Sequence, residues 1–465
     1  MFRLFRQYIS IRQLFFVVGE GVLIFLAVSL ASFIMFGEDV GFMLMMKDIW
    51  IKVLVIALVT QLSLYFNDLY EFKTSDRTLE VASRLVQAIG ITSIVLAILY
   101  YVWPELIIGR WIFFGSVLVL VGFLVSWRIL YSAVIRKKMF TEKAIMLGDG
   151  QLAMDILKEV NESPDLSYDI RALVTNGNRQ AVEKFFGASR IINGFDHICD
   201  LAEEEKVDSI IVALDEKRGI FPYRQLLNCK VRGINVIDGE SFYERISGRL
   251  LVERINPSWL IFSEGFRKSR FVRISKRVVD FLTAGLLLIV FAPIGLVTAI
   301  AIKLDSPGPV LFSQDRVGQD GKVFKIYKFR SMRADAEKLT GPVWAMEDDP
   351  RITRVGRIIR KLRIDEVPQL WNVFKGDMSF VGPRPERPFF VEQLKKKIPY
   401  YNERFTVKPG VTGWAQVKYP YGASEKDALE KLKYDLYYIK NMSIFMDLLV
   451  IFQTTKIVLL GRGAR

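Results

Sequence analysis

The sequence predicts a multi-domain membrane protein. A four-helix transmembrane bundle is expected over residues 1–138 and a Rossmann-like α/β middle domain over 139–262. An α+β domain with a re-entrant membrane helix follows over 263–465. Three observations carry this. Long apolar blocks lie near residues 14–36, 50–66, 83–103 and 111–134, strand–turn–helix alternation starts at Lys143, and a fifth apolar segment near 278–302 has basic residues on both sides. A chain of 465 residues is long enough for about three domains.

Each of the four blocks approaches the ~20 residues that a helix needs to cross the hydrocarbon core. Arg3, Arg6 and Arg12 precede the first block, Lys73, Arg77 and Arg84 lie between the second and third, and Arg136-Lys137-Lys138 follow the fourth. The other two loops are poor in basic residues apart from Lys47 and Arg110. Cytoplasmic loops carry the excess of Lys and Arg, so both ends of the bundle are expected on the cytoplasmic side. The first block is too long for a signal h-region and has no small-residue cleavage site, so no cleavage is expected. The same bias accounts for the formal charge of +14. No aromatic-and-basic module points to nucleic acid as a partner.

In the middle domain, Ala144-Ile145-Met146-Leu147 reads as a buried strand, and Gly148-Asp149-Gly150-Gln151-Leu152-Ala153 opens a helix ending near Val160. Further strands are expected at 170–174, 209–214 and 233–237, and the alternation implies a parallel sheet. The Gly148-x-Gly150-x-x-Ala153 turn has the form that seats a pyrophosphate on a helix N-terminus. Yet Thr175-Asn176-Gly177-Asn178 stands where a ribose-binding acid is wanted. The balance favours a structural or regulatory domain over a nucleotide-binding one. Cys199 and Cys229 have no metal-ligand spacing, and two buried thiols in a reducing compartment are expected rather than a disulfide. His197 is the one histidine, which excludes a histidine-based triad or a multi-histidine metal site.

The segment 278–302 holds one charge, Asp280. As a helix it is about 37 Å long, enough to span a bilayer. Lys268, Arg270, Arg273, Lys276 and Arg277 precede it, and Lys303 and Arg316 follow. A spanning helix would carry one basic cluster across. Pro293 removes a helical hydrogen bond and favours a kink at Ala292-Pro293, so a bent helix returning to the same face is expected. Residues 305–309 form a turn cluster, and 310–312 and 323–329 read as short strands. Residues 443–460, broken by Asp447, Gln453 and Lys456, suit an amphipathic helix on the membrane surface.

Chemistry concentrates in four runs after the bent helix. They are Lys328-Phe329-Arg330-Ser331-Met332, then Arg363-Ile364-Asp365-Glu366-Val367-Pro368-Gln369-Leu370-Trp371-Asn372, then Gly376-Asp377-Met378-Ser379-Phe380-Val381-Gly382-Pro383-Arg384-Pro385, then Lys408-Pro409-Gly410-Val411-Thr412-Gly413-Trp414-Ala415-Gln416-Val417. Arg351, Arg354, Arg357, Arg360, Lys361 and Arg363 build a field ahead of Asp365-Glu366 that holds a carboxylate ionised and attracts a polyanion. Alone, the acid pair reads as a salt-bridged helix end. Loops rich in Gly and Pro with single Arg or Lys residues suit phosphate, and Trp414 suits stacking on a base unless it is core.

Through these runs, residues 270–465 resemble the catalytic domain of the monotopic phosphoglycosyl transferases, the bacterial sugar transferase family. The whole chain resembles its long form, the polyprenyl-phosphate hexose-1-phosphate transferases, and Ile255-Asn256-Pro257-Ser258-Trp259-Leu260 is similar to the exopolysaccharide subgroup. The resemblance implies transfer of a sugar 1-phosphate from a UDP-sugar to undecaprenyl (polyprenyl) phosphate with release of UMP, at the bacterial inner membrane with the catalytic domain cytoplasmic. It implies Asp365 as nucleophile and Glu366 as a ligand for Mg²⁺. Lys328 or Arg330, Arg360 and Arg384 would bind phosphate, with Lys408, Gly410 and Trp414 near the nucleotide. Membrane lipids, a homodimer and other polysaccharide-assembly proteins are the further partners expected. The family's helix break is often Ser-Pro, whereas this chain has Ala292-Pro293, so Pro293 would hold the bend without a serine hydroxyl. Two rival readings are a direct glycosyltransferase releasing UDP, and a non-catalytic scaffold or nucleotide-sensing regulator.

Overall fold

The computed structural model describes residues 2–4, 7–9, 11–36, 49–70, 78–108, 110–136, 141–162, 166, 168–176, 191–215, 221–254, 263–333, 349, 351–419, 422 and 424–460. The run Ile255 to Leu260 and residues 177–178 of the middle domain lie outside them. The chain divides into two compact units, with the boundary at Ile246/Ser247.

After two short paired strands, Phe2–Leu4 and Gln7–Ile9, come four long helices, α1 (Ile11–Phe36), α2 (Ile49–Phe66), α3 (Thr78–Val102) and α4 (Arg110–Arg136). All four are long and apolar enough to cross a membrane. Their apolar residues divide between two destinations. Ile24 and Ala27, Ala57 and Leu64, Leu85 and Ala88, and Leu120 and Leu124 gather in one buried cluster, while Leu54, Val86, Ile94 and Leu118 stay exposed. A helix that is apolar all round has this pattern when lipid covers the outer face.

A parallel five-stranded sheet follows, built from β1 (Glu142–Leu147), β2 (Tyr168–Thr175), β3 (Ile191–Asn193), β4 (Ser209–Val212) and β5 (Asn235–Asp238) in the order β3-β2-β1-β4-β5. Helices α5 (Gln151–Glu162), α6 (Ile198–Glu204), α7 (Tyr223–Val231) and α8 (Gly239–Ser247) connect or follow the strands. Central strands of a parallel sheet are covered on both faces, which explains the unbroken apolar run Ile145-Met146-Leu147 and its neighbours Ile210 and Ile211. β3 adds an edge strand that the sequence reading omitted; three residues, two of them exposed, leave almost no periodic signal. The expectation of free thiols is corrected. Cys199 on α6 and Cys229 on α7 form a disulfide, because the two helices bring their Cα atoms to 5.3 Å, within bonding range.

In the second unit one continuous helix, α9 (Arg270–Asp305), contains both Ala292 and Pro293. The helix therefore does not end at those residues, and it extends beyond the expected 278–302 at both ends. Its mid-section is bare, with Ile289 74% and Val297 67% exposed, and its length and composition also suffice for a membrane. Its two ends are pinned to the globular part of the unit. At the start, Lys276 Nζ donates to Asp447 (2.6 Å) and to the Val381 carbonyl, Arg277 donates to the Val373 and Phe374 carbonyls, and Asp280 accepts from Phe380 N–H. At the finish, Asp305 accepts from Val355 N–H.

The globular part contains an antiparallel hairpin of β6 (Leu311–Val317) and β7 (Val323–Phe329). Helices α10 (Arg354–Lys361), α11 (Gln369–Lys375) and α12 (Pro388–Lys397) follow, with the short parallel pair β8 (Ser379–Val381) and β9 (Gly410–Thr412). Helices α13 (Trp414–Lys418), α14 (Glu425–Asn441) and α15 (Ile444–Leu459) complete it. Leu432, Leu436, Val391, Leu394 and Val450 share its main core. The helix expected over 443–460 is present as α15, with Met446 and Val450 buried and Leu448 and Leu459 exposed.

Candidate active site

The Asp-Glu pair does not end a helix. α10 stops at Lys361, Arg363 adopts a left-handed conformation (φ 58°), and Ile364–Glu366 form a 3₁₀ turn before Pro368 and α11. A left-handed arginine is an uncommon backbone choice, of the kind found where a site must be aimed. The turn directs the two carboxylates into different surroundings.

Glu366 is paired with two cations through one oxygen. Its Oε1 accepts from Lys328 Nζ and from Arg384 Nη2, each at 2.8 Å. Burial alone would raise its carboxyl, but Lys328 and Arg384 hold it well below the usual range. Asp365 is 7% exposed and accepts no hydrogen bond among the described residues. Burial pushes its carboxyl up, against the charges of Lys328, Arg360 and Arg363. Neighbouring acids driven apart in this way suit separate roles. Arg360, on α10, has a buried Nη1 with no partner, and its charge acts on Asp365. An orphaned guanidinium N–H beside a free carboxylate is a place where an anionic oxygen fits.

The supports come from four directions. Lys328 lies near the end of β7, whose backbone is gripped by Asn372: its Oδ1 accepts from Tyr327 N–H (3.1 Å) and its Nδ2 donates to the Lys325 carbonyl (2.8 Å). That fully buried amide ties α11, and so the Asp365–Glu366 turn, to the strand bearing Lys328. Arg384 is oriented by Gln416 Oε1, which accepts from its Nη1 at 2.7 Å. Neither Asn372 nor Gln416 is among the site residues expected from the sequence, although Asn372 closes the Asp365–Glu366 run and Gln416 lies in the run that starts at Lys408. A polar residue inside an otherwise apolar helix stretch was the available signal for Asn372.

Other expected site residues have different jobs. Arg330 is buried, and its guanidinium donates to the carbonyls of Ser306 (2.7 Å) and Pro307 (2.9 Å), closing the C-terminal end of α9. Trp414 is 5% exposed; its indole N–H donates to the Gly248 carbonyl, its ring stacks with Tyr437, and Lys418 lies 4.9 Å from its centroid. It has no face left for a base, so it is core. A Cβ on Gly410 would meet Gly382 N at 2.1 Å, so this glycine lets the two loops touch backbone to backbone. Lys408 is grouped with Arg277, Asp280 and Asp377 instead of Glu366, and burial lowers its ammonium.

No group of three acidic, histidine or cysteine side chains gathers among the described residues. A Mg²⁺ ion commonly takes one or two carboxylates and completes its shell with phosphate oxygens and water. The Asp365–Glu366 pair, with Lys328 and Arg384 beside Glu366, fits that donor set.

The model of the bacterial sugar transferase family matches residues 271–461, and that of a CoA-binding domain matches 65–219. A UDP-N-acetylgalactosamine-undecaprenyl-phosphate N-acetylgalactosaminephosphotransferase of Aeromonas hydrophila is 44% identical over 242 residues, 52% of this chain and 56% of that protein. An undecaprenyl-phosphate glucose phosphotransferase of Komagataeibacter xylinus is 37% identical over 270 residues, 57% of this chain and 51% of that protein. The chain thus spans about half the length of these two relatives. The exopolysaccharide production protein PSS of Rhizobium leguminosarum bv. phaseoli is 44% identical over 187 residues, 38% of this chain and 92% of that protein. The matched stretch contains all four runs and the whole Asp365–Glu366–Lys328–Arg384 cluster, and on this ground the chain belongs to the bacterial sugar transferase family.

Proposed function

We propose that this chain transfers a sugar 1-phosphate from a UDP-sugar to undecaprenyl phosphate, releasing UMP, in the first membrane step of building a polysaccharide repeat unit. The observation that carries this reading is the division of labour at one turn. Asp365 is buried, free of hydrogen bonds among the described residues and faced by cations, while Glu366 is held ionised by Lys328 and Arg384. The names of the relatives, which specify undecaprenyl-phosphate phosphotransferases, support the substrate classes.

In this mechanism an Asp365 carboxylate oxygen attacks the phosphorus that bears the sugar. The bond from that phosphorus to the bridging oxygen breaks, and UMP leaves with the electron pair. An oxygen of the lipid phosphate then attacks the same phosphorus, and Asp365 departs as a carboxylate. Lys328, Arg360 and Arg384 offset charge on the phosphoryl oxygens in both displacements. Glu366 would hold Mg²⁺ together with the diphosphate; the ion would supply further charge neutralisation there.

We read α1–α4 as a transmembrane bundle in the bacterial inner membrane and α9 as a re-entrant helix whose two ends share the cytoplasmic face. Pinning of both ends of α9 to one globular body, with a bare apolar mid-section containing Pro293, supports this. The test is an incubation with undecaprenyl phosphate and a panel beginning with UDP-N-acetylgalactosamine and UDP-glucose. UMP as the nucleotide product is expected, whereas UDP would mean direct glycosyl transfer, and absence of turnover across the panel would favour a scaffold.

A further inference from the structure

The turn that presents Arg384 has an unusual backbone economy. Pro383 and Pro385 flank the arginine and lack N–H groups, so the turn is secured through its carbonyls. Each of four successive carbonyls has a donor: Pro383 from Gly410 N–H (3.0 Å), Arg384 from Arg404 Nη2 (3.0 Å), Pro385 from Arg316 Nη1 (3.1 Å) and Glu386 from Val317 N–H (2.9 Å). Two donors are backbone groups at the ends of strands, Gly410 of β9 and Val317 of β6. The bond to Arg384 itself comes from a side chain with far heavier anchoring than one carbonyl needs.

Arg404 is 6% exposed and sits in a 3₁₀ stretch, Tyr401–Thr406, that begins from a left-handed Tyr400 (φ 57°). Its Nη2 also donates to Asp435 Oδ2 at 2.9 Å, and its Nη1 donates to the Tyr401 hydroxyl. Asp435, on α14, is 2% exposed. A buried ion pair of this kind contributes little net stability, since desolvation consumes most of the attraction, but it fixes geometry firmly. Its outward contact is the carbonyl of the residue whose guanidinium grips Glu366.

We propose that Arg404, locked by Asp435 and Tyr401, is the positioning residue that aims Arg384 at Glu366 and at the diphosphate. This rests on the reading of Arg384 as a phosphate-binding group. Arg404 touches no reacting atom; it acts only through the Arg384 backbone.

The test is a double-mutant cycle on the full chain in detergent, with the Kd for UDP as readout and melting temperature as the folding control. R404K keeps the charge and loses the fork geometry. It is expected to raise the Kd about tenfold, the loss of one charge-assisted contact. In an R384Q background, the same substitution is expected to change the Kd less than twofold. Equal tenfold effects in both backgrounds would show a general structural role and overturn the proposal, as would an unchanged Kd for folded R404K. Should R404K not fold, Y401F removes a single acceptor and is expected to raise the Kd about threefold, again only when Arg384 is present; no change there overturns the proposal equally. If R384Q alone leaves the Kd unchanged, Arg384 does not bind the diphosphate, and the parent reading falls together with this one. UDP binding that weakens with R384Q and ignores Arg404 and Tyr401 sinks only the positioning role.

Discussion

At the Asp365–Glu366 turn, cations outnumber the acids they face. Lys328, Arg360, Arg363 and Arg384 act on two carboxylates, one of which accepts no hydrogen bond among the described residues. At the Gly148–Ala153 turn of the middle domain the balance is reversed. Asp215 Oδ2 accepts from Gln151 N–H (3.0 Å) and its Oδ1 from Leu152 N–H (3.3 Å), so the protein's own carboxylate sits on the N-terminus of α5. A Cβ on Gly150 would lie 2.2 Å from Asp215 Oδ2, so the glycine is needed to admit Asp215. Both stretches are suited to phosphate in sequence. The difference is whether the anion seat is left open to a ligand or closed by a residue from elsewhere in the chain.

Experiments can press on this contrast at both ends. D365N should lower formation of lipid-linked product about a thousandfold or more, because it removes the attacking group; a radiolabelled-sugar extraction assay measures it, and near-normal product would remove Asp365 from the mechanism. R384Q should lower turnover about a hundredfold, the usual consequence of losing one preorganised donor to developing charge. Acidification should also act through Asp365. Burial raises its carboxyl, so protonation, and with it loss of attack, begins above the ordinary carboxylate pKa of about 4 as pH falls. The charge of Lys328 opposes that rise. K328M should therefore shift the acid limb of the kcat/KM profile to higher pH, and a limb that stays put or moves lower would contradict the assigned electrostatics.

The middle domain should respond weakly. D215A removes an acceptor from the start of α5 and should cost about 1 kcal/mol of stability, a small loss of melting temperature. Transfer activity should stay within twofold of the parent chain. A large loss of activity without a loss of stability would show that the filled turn takes part in catalysis after all.

The membrane blocks, four of the five parallel strands, β7 and the start of β6 were legible in the sequence, since each follows from apolar periodicity and turn residues; the pairing of β6 with β7 was not expected. Asp365 and Glu366 stood out as an acid pair after a basic run, while Arg384 and Lys328, with Arg330 as its alternative, came from the resemblance of the four runs to a known family. The remainder depended on tertiary direction. Lys328 and Arg330 are two residues apart in one run, yet Arg330 lies just past the end of β7 and turns to the carbonyls closing α9. Trp414 reads as a stacking platform beside two glycines, and only the packing of Tyr437 and Lys418 shows that both faces are covered. Cys199 and Cys229, and likewise Arg404 and Asp435, meet across about 30 residues of chain with no spacing rule to announce them.

The central claim is that Asp365 carries the phosphosugar between donor and acceptor. Its most direct test is to incubate the full chain with the accepted UDP-sugar and no lipid phosphate, then to weigh the intact protein and its peptides. The account predicts a mass gain of one sugar phosphate on the peptide containing Asp365, with one UMP released per modified chain, and its disappearance when undecaprenyl phosphate is added. An unmodified protein that still yields lipid-linked product at full rate, or an adduct on another residue, would contradict it.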